Sequence, residues 1–389
     1  MTLPMAFGSP TVFEPGCAQC YLPRWSLSKL FYGGNDQSIA DNAVQEIFRT
    51  GDDNKAEVVV LWGAQPSVSQ TAESGRGMAE LRAKGVKTIV VDPNFSPDAV
   101  KADVWLPVRP ATDTGLLLAW FRYIFENKLY NEEFTKYWTN LPFLIDPDTK
   151  LPVLANELFP DFAQSTPDDT PAYVCFDLKT NALAPFEYSA PENAVVDPEV
   201  FWEGEVNGKT YRTSWDILVE HVTPWTIQRA AEFCELPEDK IKEAIDAYID
   251  ASPHACFTRG QKVEFSINTS GISQAFTIMM ALAGNFDSKG GQNIGREPAT
   301  GYDSFMFDVV PNKEGRMGKR RLETAKNIKK LSVCQNTGYQ QILVADDATG
   351  ELRETTQNSG GQVIYGQQGG FGAATTKAMA KGDPFQISG

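Results

Sequence analysis

Two cysteines near the start of the chain have the spacing of a Cys-x-x-Cys pair, Cys17 and Cys20. Such a pair on its own is typical of a zinc site or of a redox-active dithiol. A zinc site normally needs two further ligands, but the sequence has no second pair of this kind, and neither His221 nor His254 has ligand-like neighbours. A thioredoxin-type dithiol lies between a strand and a helix, and no strand is clearly predicted before this pair. The spacing alone therefore does not establish whether the pair forms a zinc site or a redox-active dithiol.

A second candidate site follows the apolar run Val58–Leu61, which predicts a buried parallel strand. The segment Trp62–Pro66 comes directly after this run, at the point where ligands bind in open α/β sheets. Gly63 lets a ligand approach the backbone, and Gln65 can pair with a base, a ribose or a diphosphate. The segment is not a G-x-G-x-x-G fingerprint, so an ordinary NAD site is not indicated. A plain turn at the end of the strand explains the segment equally well.

Two acidic residues follow later predicted strands. Asp92, in the segment Val91–Asn94, stands where an acid commonly accepts hydrogen bonds from ribose hydroxyls. Taken alone, an Asp-Pro turn is the favoured interpretation of that segment. Asp113 ends the segment Arg109–Asp113 at a predicted helix start, where its carboxylate can accept hydrogen bonds from N1 and the exocyclic amine of guanine. The alternative is an acid that complements the helix macrodipole.

These segments lie within an alternation of strands and helices between residues 56 and 128. The predicted strands are Val58–Leu61, Thr88–Val91 and Val104–Pro107, and the predicted helices are 72–84 and Thr114–Asn127. This order predicts an α/β fold with a doubly wound, mostly parallel, Rossmann-like three-layer sheet.

The remaining sequence predicts an insertion and part of a second domain. Residues 141–212 carry Pro, Asp and Thr turn clusters and short strand-like pieces, which indicate an irregular insertion. Thr223 is a predicted N-cap, with a short helix at Pro224–Phe233 after it. The predicted domains are residues 1–255, a dinucleotide-type α/β domain, and residues 256–389, part of a second α/β domain.

The charge of the chain argues against a nucleic-acid partner. Its 389 residues carry a net charge of −15, and no basic stripe is visible. The sequence has no apolar run of about 18 residues, which a membrane-spanning helix needs. The first ten residues lack the basic and apolar regions of a signal peptide.

Taken together, three segments resemble the molybdopterin oxidoreductases of the dimethyl sulfoxide reductase family. The shared order is W-G-x-N/Q-P at residues 62–66, V-D-P at 91–93 and A-D-x-W-L-P-x-R-P-x-T-D at 102–113. In that family, this stretch holds the guanosine end of one molybdopterin guanine dinucleotide. A later stretch, residues 259–291, looks like the start of the family's second α/β domain, where an early Gly-Gln, here residues 260–261, lies close to the pterin.

The resemblance implies a set of cofactor-binding residues: Trp62, Gly63, Gln65, Asp92, Pro93, Thr112, Asp113, Gly260 and Gln261. The chain departs from the family's more frequent residues at two points. Asn94 stands where Arg is common, and Ala111 stands where Gly is common, so the family's contacts at these points are not carried over.

The resemblance also bears on the cysteine pair. In the family, a Gly-Ser/Thr-Pro/Asn segment, here residues 8–10, leads to the residue that binds the metal, and Cys20 aligns best with that residue. A thiolate is a suitable soft donor. The resemblance therefore implies Cys20 as the catalytic ligand of molybdenum or tungsten, with Tyr21 and Arg24 as substrate-side donors. A metal bound by Cys17, a metal bound by neither thiol, and packing roles for Tyr21 and Arg24 remain open.

The implied function is the central part of a bis(molybdopterin guanine dinucleotide) oxidoreductase catalytic subunit. Its metal, molybdenum or tungsten, carries out oxygen-atom transfer, or a related hydration or dehydroxylation, as in anaerobic respiration. The insertion and the Cys-Tyr-x-Pro-Arg segment favour the branch of acetylene hydratases and reductive dehydroxylases. Such an enzyme is expected in an anaerobic prokaryote, either in the cytoplasm or exported to the cell-envelope side.

The resemblance further implies that the chain is a fragment, inactive alone, with an unpaired sheet edge. Full-length relatives begin with a cysteine-rich segment, which often binds a 4Fe–4S cluster, and end with a further domain. The expected partners are these N- and C-terminal domains, a small-molecule substrate and, in some relatives, an iron–sulfur electron-transfer subunit. A non-catalytic scaffold that keeps the fold without the metal is the main alternative, and a nucleotide-binding α/β protein without pterin is the other.

Overall fold

The computed structural model describes residues 55–69, 75–165, 171–187, 191–260, 263, 268–286, 288–292, 343–345 and 352–354. The described residues fall into two compact units. The larger unit holds those up to residue 259 and those from 274 to 292. The smaller unit holds residues 260, 263 and 268–273 and the strands at 343–345 and 352–354.

The strands of the described residues are, in chain order, β1 (Val58–Trp62), β2 (Lys87–Val91), β3 (Val104–Leu106), β4 (Leu144–Ile145), β5 (Tyr173–Asp177), β6 (Ala182–Phe186), β7 (Glu203–Val206), β8 (Lys209–Thr213), β9 (Ala255–Arg259), β10 (Leu343–Ala345) and β11 (Leu352–Glu354). The α-helices are α1 (Pro66–Ser69), α2 (Arg76–Ala83), α3 (Pro97–Val100), α4 (Asp113–Asn127), α5 (Glu132–Tyr137), α6 (Ala155–Leu158), α7 (Ser214–Val222), α8 (Ile227–Cys234), α9 (Glu238–Ala251) and α10 (Thr269–Ala283). None of these helices is long and apolar enough to cross a membrane.

A four-stranded parallel sheet forms the centre of the larger unit, in the order β3-β2-β1-β9. All five residues of β1 are buried, as in parallel strands that are covered on both faces. The register places Trp62 beside Val91 of β2 and beside Arg259 of β9. The carboxyl ends of these three strands therefore meet at one edge of the sheet.

Helices cover both faces of this sheet. Val59 and Leu61 of β1 share one apolar cluster with Met78 of α2. On the opposite face, the ring of Trp62 contacts the ring of Trp120 of α4, with 5.7 Å between centroids. The predicted doubly wound, three-layer α/β fold is therefore confirmed.

The predicted domain boundary between residues 255 and 256 falls at the start of β9. Each residue of β9 pairs with β1, so this strand completes the first sheet instead of beginning a second one. Residues 274–292 also belong to the larger unit. The division of the remaining sequence into a second domain stays a prediction.

Two small antiparallel sheets occupy the stretch 141–212, with the orders β4-β8-β7 and β5-β6. One apolar cluster of this region contains Phe143 and Phe186, and another contains Leu144 and Tyr211. Local hairpins thus replace the strand–helix alternation of the parallel sheet.

The predicted helix start at Pro224 is wrong. Thr223 continues the last turn of α7, because its N–H and its hydroxyl both donate to the carbonyl of Val219. The next helix, α8, begins at Ile227, where the Thr226 hydroxyl accepts from the N–H of Arg229. Thr226, three positions after Thr223, therefore provides the N-cap of α8.

The outer edge of β9 is covered by side-chain amides. Asn285 Nδ2 donates to the carbonyl of Ala255 at 2.8 Å and to the hydroxyl of Tyr248 at 2.7 Å. The N–H of Phe257 donates to the side-chain oxygen of Gln292. Two amides therefore take the place of a neighbouring strand along this part of β9. The unpaired edge expected in the partial second domain stays a prediction.

We expect Asn285→Ala to lower the free energy of unfolding by about 2–3 kcal/mol, because a buried carbonyl and a buried hydroxyl lose their donor. Urea unfolding of the full chain, followed by circular dichroism, measures this. Asn127→Ala is the matched control, since the exposed Asn127 amide donates to a helix carbonyl, that of Tyr123. Equal destabilisation by both substitutions would contradict the edge-covering role of Asn285.

Candidate functional site at the carboxyl edge of the sheet

Directly after β1, the chain turns sharply at Gly63. This residue has a φ of 61°, in the left-handed region that glycine adopts without a steric penalty. Its N–H donates to the carbonyl of Val91 at 2.8 Å, which joins the ends of β1 and β2. A backbone hydrogen bond thus connects the predicted ligand-facing turn to the edge of the sheet.

A hydrogen-bonded cluster of three side chains lies just beyond this turn. Gln65 Nε2 donates to Asp92 Oδ2 at 3.1 Å, and Asn94 Nδ2 donates to Gln65 Oε1 at 3.4 Å. The N–H of Asn94 donates to Asp92 Oδ1 at 2.8 Å. Gln65 and Asp92 were both candidate residues from the sequence, and the fold brings them into direct contact.

Asp113 occupies the first turn of α4 and meets the end of β1. Trp62 Nε1 donates to Asp113 Oδ1 at 2.7 Å across 51 positions of sequence. This bond fixes the orientation of the carboxylate. A second candidate pair from the sequence is therefore also in contact.

The indole of Trp62 lies in the core and not on the surface of the site. Its side chain is 0% exposed, and its ring meets that of Phe276 edge-on at 5.1 Å. A direct cofactor contact by Trp62 does not fit this burial. Its contribution to the site is the hydrogen bond that holds Asp113.

Burial raises the pKa of the Asp113 carboxyl above its ordinary value, because desolvation disfavours the charged form. The hydrogen bond from Trp62 acts in the opposite direction, and the negative charge of Asp92 raises the pKa further. Hydrogen-bond donors from a ligand would favour the charged form of Asp113 and offset the effect of burial on its pKa.

The loop before Asp113 is held by the end of α8. The N–H of Arg109 donates to the carbonyl of Cys234 at 3.0 Å, and the Cys234 thiol lies 3.6 Å from the carbonyl of Thr112. The Thr112 hydroxyl donates to the carbonyl of Arg109 at 2.7 Å, and its residue is only 4% exposed. Thr112 therefore shapes the loop through its hydroxyl. Ala111 has a φ of 67°, the left-handed conformation that glycine adopts most easily.

The other sequence-predicted site residues make none of the contacts described above. Pro93 is exposed next to Asp92, and Gly260 belongs to the smaller unit. The remaining ones are outside the described residues: Cys17, Cys20, Tyr21, Arg24 and Gln261.

Sequence reasoning missed two contributors to the site. Trp105 Nε1 donates to the carbonyl of Asp92 at 2.9 Å, and the ring of Phe95 lies 4.7 Å from that of Trp105. Phe95 is 60% exposed. Trp105 belongs to one of the quoted family segments, so the motif contained a signal for it, whereas Phe95 shows no periodicity that indicates a site.

The arrangement fits the nucleotide end of a cofactor better than a metal ion. Within the ranges that the structure describes, no group of three or more His, Cys, Asp or Glu residues is placed to hold a metal. The site instead combines the acids Asp92 and Asp113, two amides and a close-approach glycine, Gly63, at the carboxyl edge of a parallel sheet. Bases and sugars are bound by such groups at such edges.

Comparison with known proteins identifies the family of the chain. A family model with the description "Molybdopterin oxidoreductase" matches residues 25–367. The chain belongs to the molybdopterin oxidoreductase family. The proteins of this family are oxidoreductases that use a molybdopterin cofactor with molybdenum or tungsten.

Several curated relatives align with parts of the chain. The putative catalytic polypeptide of a dimethyl sulfoxide reductase from Halobacterium salinarum is 29% identical over 237 residues, 60% of this chain and 27% of that protein. A dopamine dehydroxylase of Eggerthella lenta is 38% identical over 94 residues, 24% of this chain and 9% of that protein. The alpha chain of the dimethylsulfide dehydrogenase of Rhodovulum sulfidophilum is 25% identical over 218 residues, 54% of this chain and 23% of that protein. The chain thus spans only about a quarter or less of the length of these relatives.

Among solved structures, acetylene hydratase from Pelobacter acetylenicus matches with a TM-score of 0.46 and 16% identity. The match covers 74% of this chain and 27% of that one.

We expect Asp113→Asn to become more stable relative to wild type as the pH rises from about 4 to about 7. The pKa of Asp113 is raised in the folded protein. The stabilising contribution of the protonated Asp113 carboxyl is therefore complete at pH values below the pKa of this group in the unfolded chain. It is lost as the pH rises through the pKa of the group in the folded chain. Urea unfolding at several pH values and constant ionic strength measures the difference.

The contrasting control for this pH series is Asp146→Asn. Backbone hydrogen bonds, first from Thr149, lower the pKa of Asp146. Its stabilising contribution is present above the unfolded pKa and is lost as the pH falls, so the trend is opposite. A pH-independent difference between wild type and Asp113→Asn would show that burial does not perturb Asp113.

Proposed function

We propose that the chain is the central part of the catalytic subunit of a molybdenum or tungsten bis(molybdopterin guanine dinucleotide) oxidoreductase. The observation that carries the proposal is the Asp113 carboxylate, which Trp62 Nε1 holds at 2.7 Å in the first turn of α4. When bound, the cofactor supplies the metal centre for oxygen-atom transfer, hydration or dehydroxylation. The described residues of the chain bind and orient its nucleotide end.

Asp113 suits guanine because guanine has two adjacent donors, N1–H and the exocyclic amine. A carboxylate has two oxygens that only accept. The bond from Trp62 uses one lone pair of Oδ1 and fixes the plane of the group. Adenine has an acceptor at N1, which would face the carboxylate without a proton between them. Asp113 is therefore the base-recognising residue in this proposal.

The residues next to Asp113 in the site accommodate the sugar and the diphosphate of the cofactor. Gly63, with a φ of 61°, has no Cβ that would block a ligand from the backbone. Pro93 is exposed beside Asp92 and offers an apolar surface. Gly260 and Gln261 are proposed to lie near the pterin, as the family resemblance implies.

The metal end of the cofactor is proposed to be bound by Cys20. A thiolate matches the preference of these metals for soft donors. Tyr21 and Arg24 are proposed to contact the substrate. These residues lie outside the described ranges, so this part of the proposal stands on the family resemblance.

The whole enzyme is proposed to include further domains. Relatives whose names designate them as alpha chains are consistent with a multi-subunit enzyme, and an iron–sulfur electron-transfer subunit is the proposed partner. The match to a dopamine dehydroxylase over 94 residues supports a dehydroxylation reaction on a small molecule. The match to a dimethyl sulfoxide reductase supports oxygen-atom transfer.

We expect the native gene product, expressed anaerobically, to contain about one molybdenum or tungsten atom per chain and two pterins, as one bis-pterin metal site requires. Elemental analysis and the fluorescence of oxidised pterin measure this. Cys20→Ala should lower metal content or change the X-ray absorption edge, while pterin guanine dinucleotide stays bound. Cys17→Ala is the matched control. A folded wild-type protein with neither metal nor pterin would favour the scaffold alternative.

We expect Asp113→Asn to weaken GDP binding by the cofactor-free full chain roughly 10- to 100-fold, as for loss of a charged hydrogen-bond acceptor. Isothermal titration calorimetry measures this, with ADP as the comparison ligand. Asp239→Asn makes the same chemical change in the first turn of another helix, α9, and should leave GDP binding unchanged. A loss of equal size for GDP and ADP would remove Asp113 from base recognition.

A further inference from the structure

We infer that two neutral amides, those of Gln65 and Asn94, bind the ribose hydroxyls of the nucleotide, and that Asp92 is a positioning residue behind them. The inference rests on the proposed function, since it takes the nucleotide to bind at this edge of the sheet. It reverses the role that the sequence alone suggested for Asp92, which was a direct bond to the ribose.

The burial of the three side chains supports this division of roles. Asp92 is only 3% exposed, whereas Gln65 is half-buried and Asn94 is exposed. Each carboxylate oxygen of Asp92 already has a donor, the N–H of Asn94 at 2.8 Å and Gln65 Nε2 at 3.1 Å. A ligand that approaches from solvent therefore meets the amides before it meets the acid.

The acid also determines which way the amides point. A carboxylate only accepts hydrogen bonds, so the Nε2 of Gln65, and not its oxygen, must face Asp92. The oxygen of Gln65 is then turned towards Asn94 Nδ2, which lies 3.4 Å away. Each amide nitrogen carries two hydrogens, and these bonds use one of each. The pair of amides thus has one further N–H donor on each side chain for a ligand.

Two N–H donors without a charge match the oxygens of a vicinal diol. A phosphate would be bound more strongly by a cation, and the residue that is common in the family at position 94, arginine, is such a cation. Asn94 replaces it here with a neutral group. The exposed ring of Phe95, packed against Trp105 at 4.7 Å, flanks the cluster with an apolar surface suited to the carbon side of a sugar.

The two possible roles of Asp92 predict different coupling. A residue that touches the ribose itself still contributes binding free energy after the amides have been removed. A residue that acts only by orienting the amides contributes nothing once they are removed. A double-mutant cycle separates these cases.

The test is isothermal titration calorimetry of the cofactor-free full chain with GDP and with 2′,3′-dideoxy-GDP. The variants are Asp92→Asn, the double substitution Gln65→Ala/Asn94→Ala, and all three together. Gln228→Ala is the matched control, since this amide donates to Glu232 at 3.2 Å on the exposed side of α8. Thermal unfolding of each variant checks that the fold is retained, and Asp92→Asn keeps the shape of the original side chain.

We expect the double substitution to weaken GDP binding by about tenfold, as for two lost hydrogen bonds, and to leave binding of the dideoxy ligand unchanged. Asp92→Asn should weaken GDP binding on its own but add no loss to the double variant. A further loss from Asp92→Asn in the double variant would overturn the inference, as would equal losses for the two ligands. A wild-type chain that does not prefer GDP to ADP would instead overturn the proposed function, and the inference with it.

Discussion

The indole N–H of Trp62 donates a hydrogen bond to the carboxylate of Asp113 at 2.7 Å, and it connects the apolar core to the candidate site. The Trp62 ring is fully buried among other aromatic rings, with those of Phe276 and Trp120 at 5.1 and 5.7 Å. A ring confined in this way can direct its single donor to only one place. The packing of the sheet against α4 therefore sets the position of the carboxylate, and the end of α8 sets the loop before it.

Burial of the Asp113 carboxyl at this edge disfavours its charged form. Desolvation raises the pKa of Asp113, and the charge of Asp92 adds to this effect. A ligand that brings hydrogen-bond donors relieves both costs, because donors stabilise the charged carboxylate. A ligand that brings acceptors relieves neither. In the proposed function, the same arrangement selects guanine over adenine by hydrogen-bond donors and acceptors, without steric selection.

The sequence was sufficient for the features that depend on local pattern. The buried run of β1 and the Trp-Gly-x-Gln-Pro turn after it predicted the parallel strand and the edge at which the site lies. The sequence was insufficient to predict contacts between residues that are far apart along the chain. The burial of Trp62 depends on α4 and α10, and the covering of β9 by Asn285 and Gln292 depends on hydrogen bonds that span 30 and 35 positions. Such contacts leave no periodic signal in the residues that make them.

The two departures from the family's more frequent residues have different physical consequences. Ala111 keeps the left-handed conformation at a φ of 67°, at a cost of about 1 kcal/mol for a residue with a Cβ. The backbone bond from Arg109 to Cys234 holds the loop in place despite that cost. Asn94 differs because its side chain belongs to the site, where a neutral amide replaces a cation. Ala111 therefore affects the stability of this loop, whereas Asn94, in the proposed site, determines which ligand atoms can be bound.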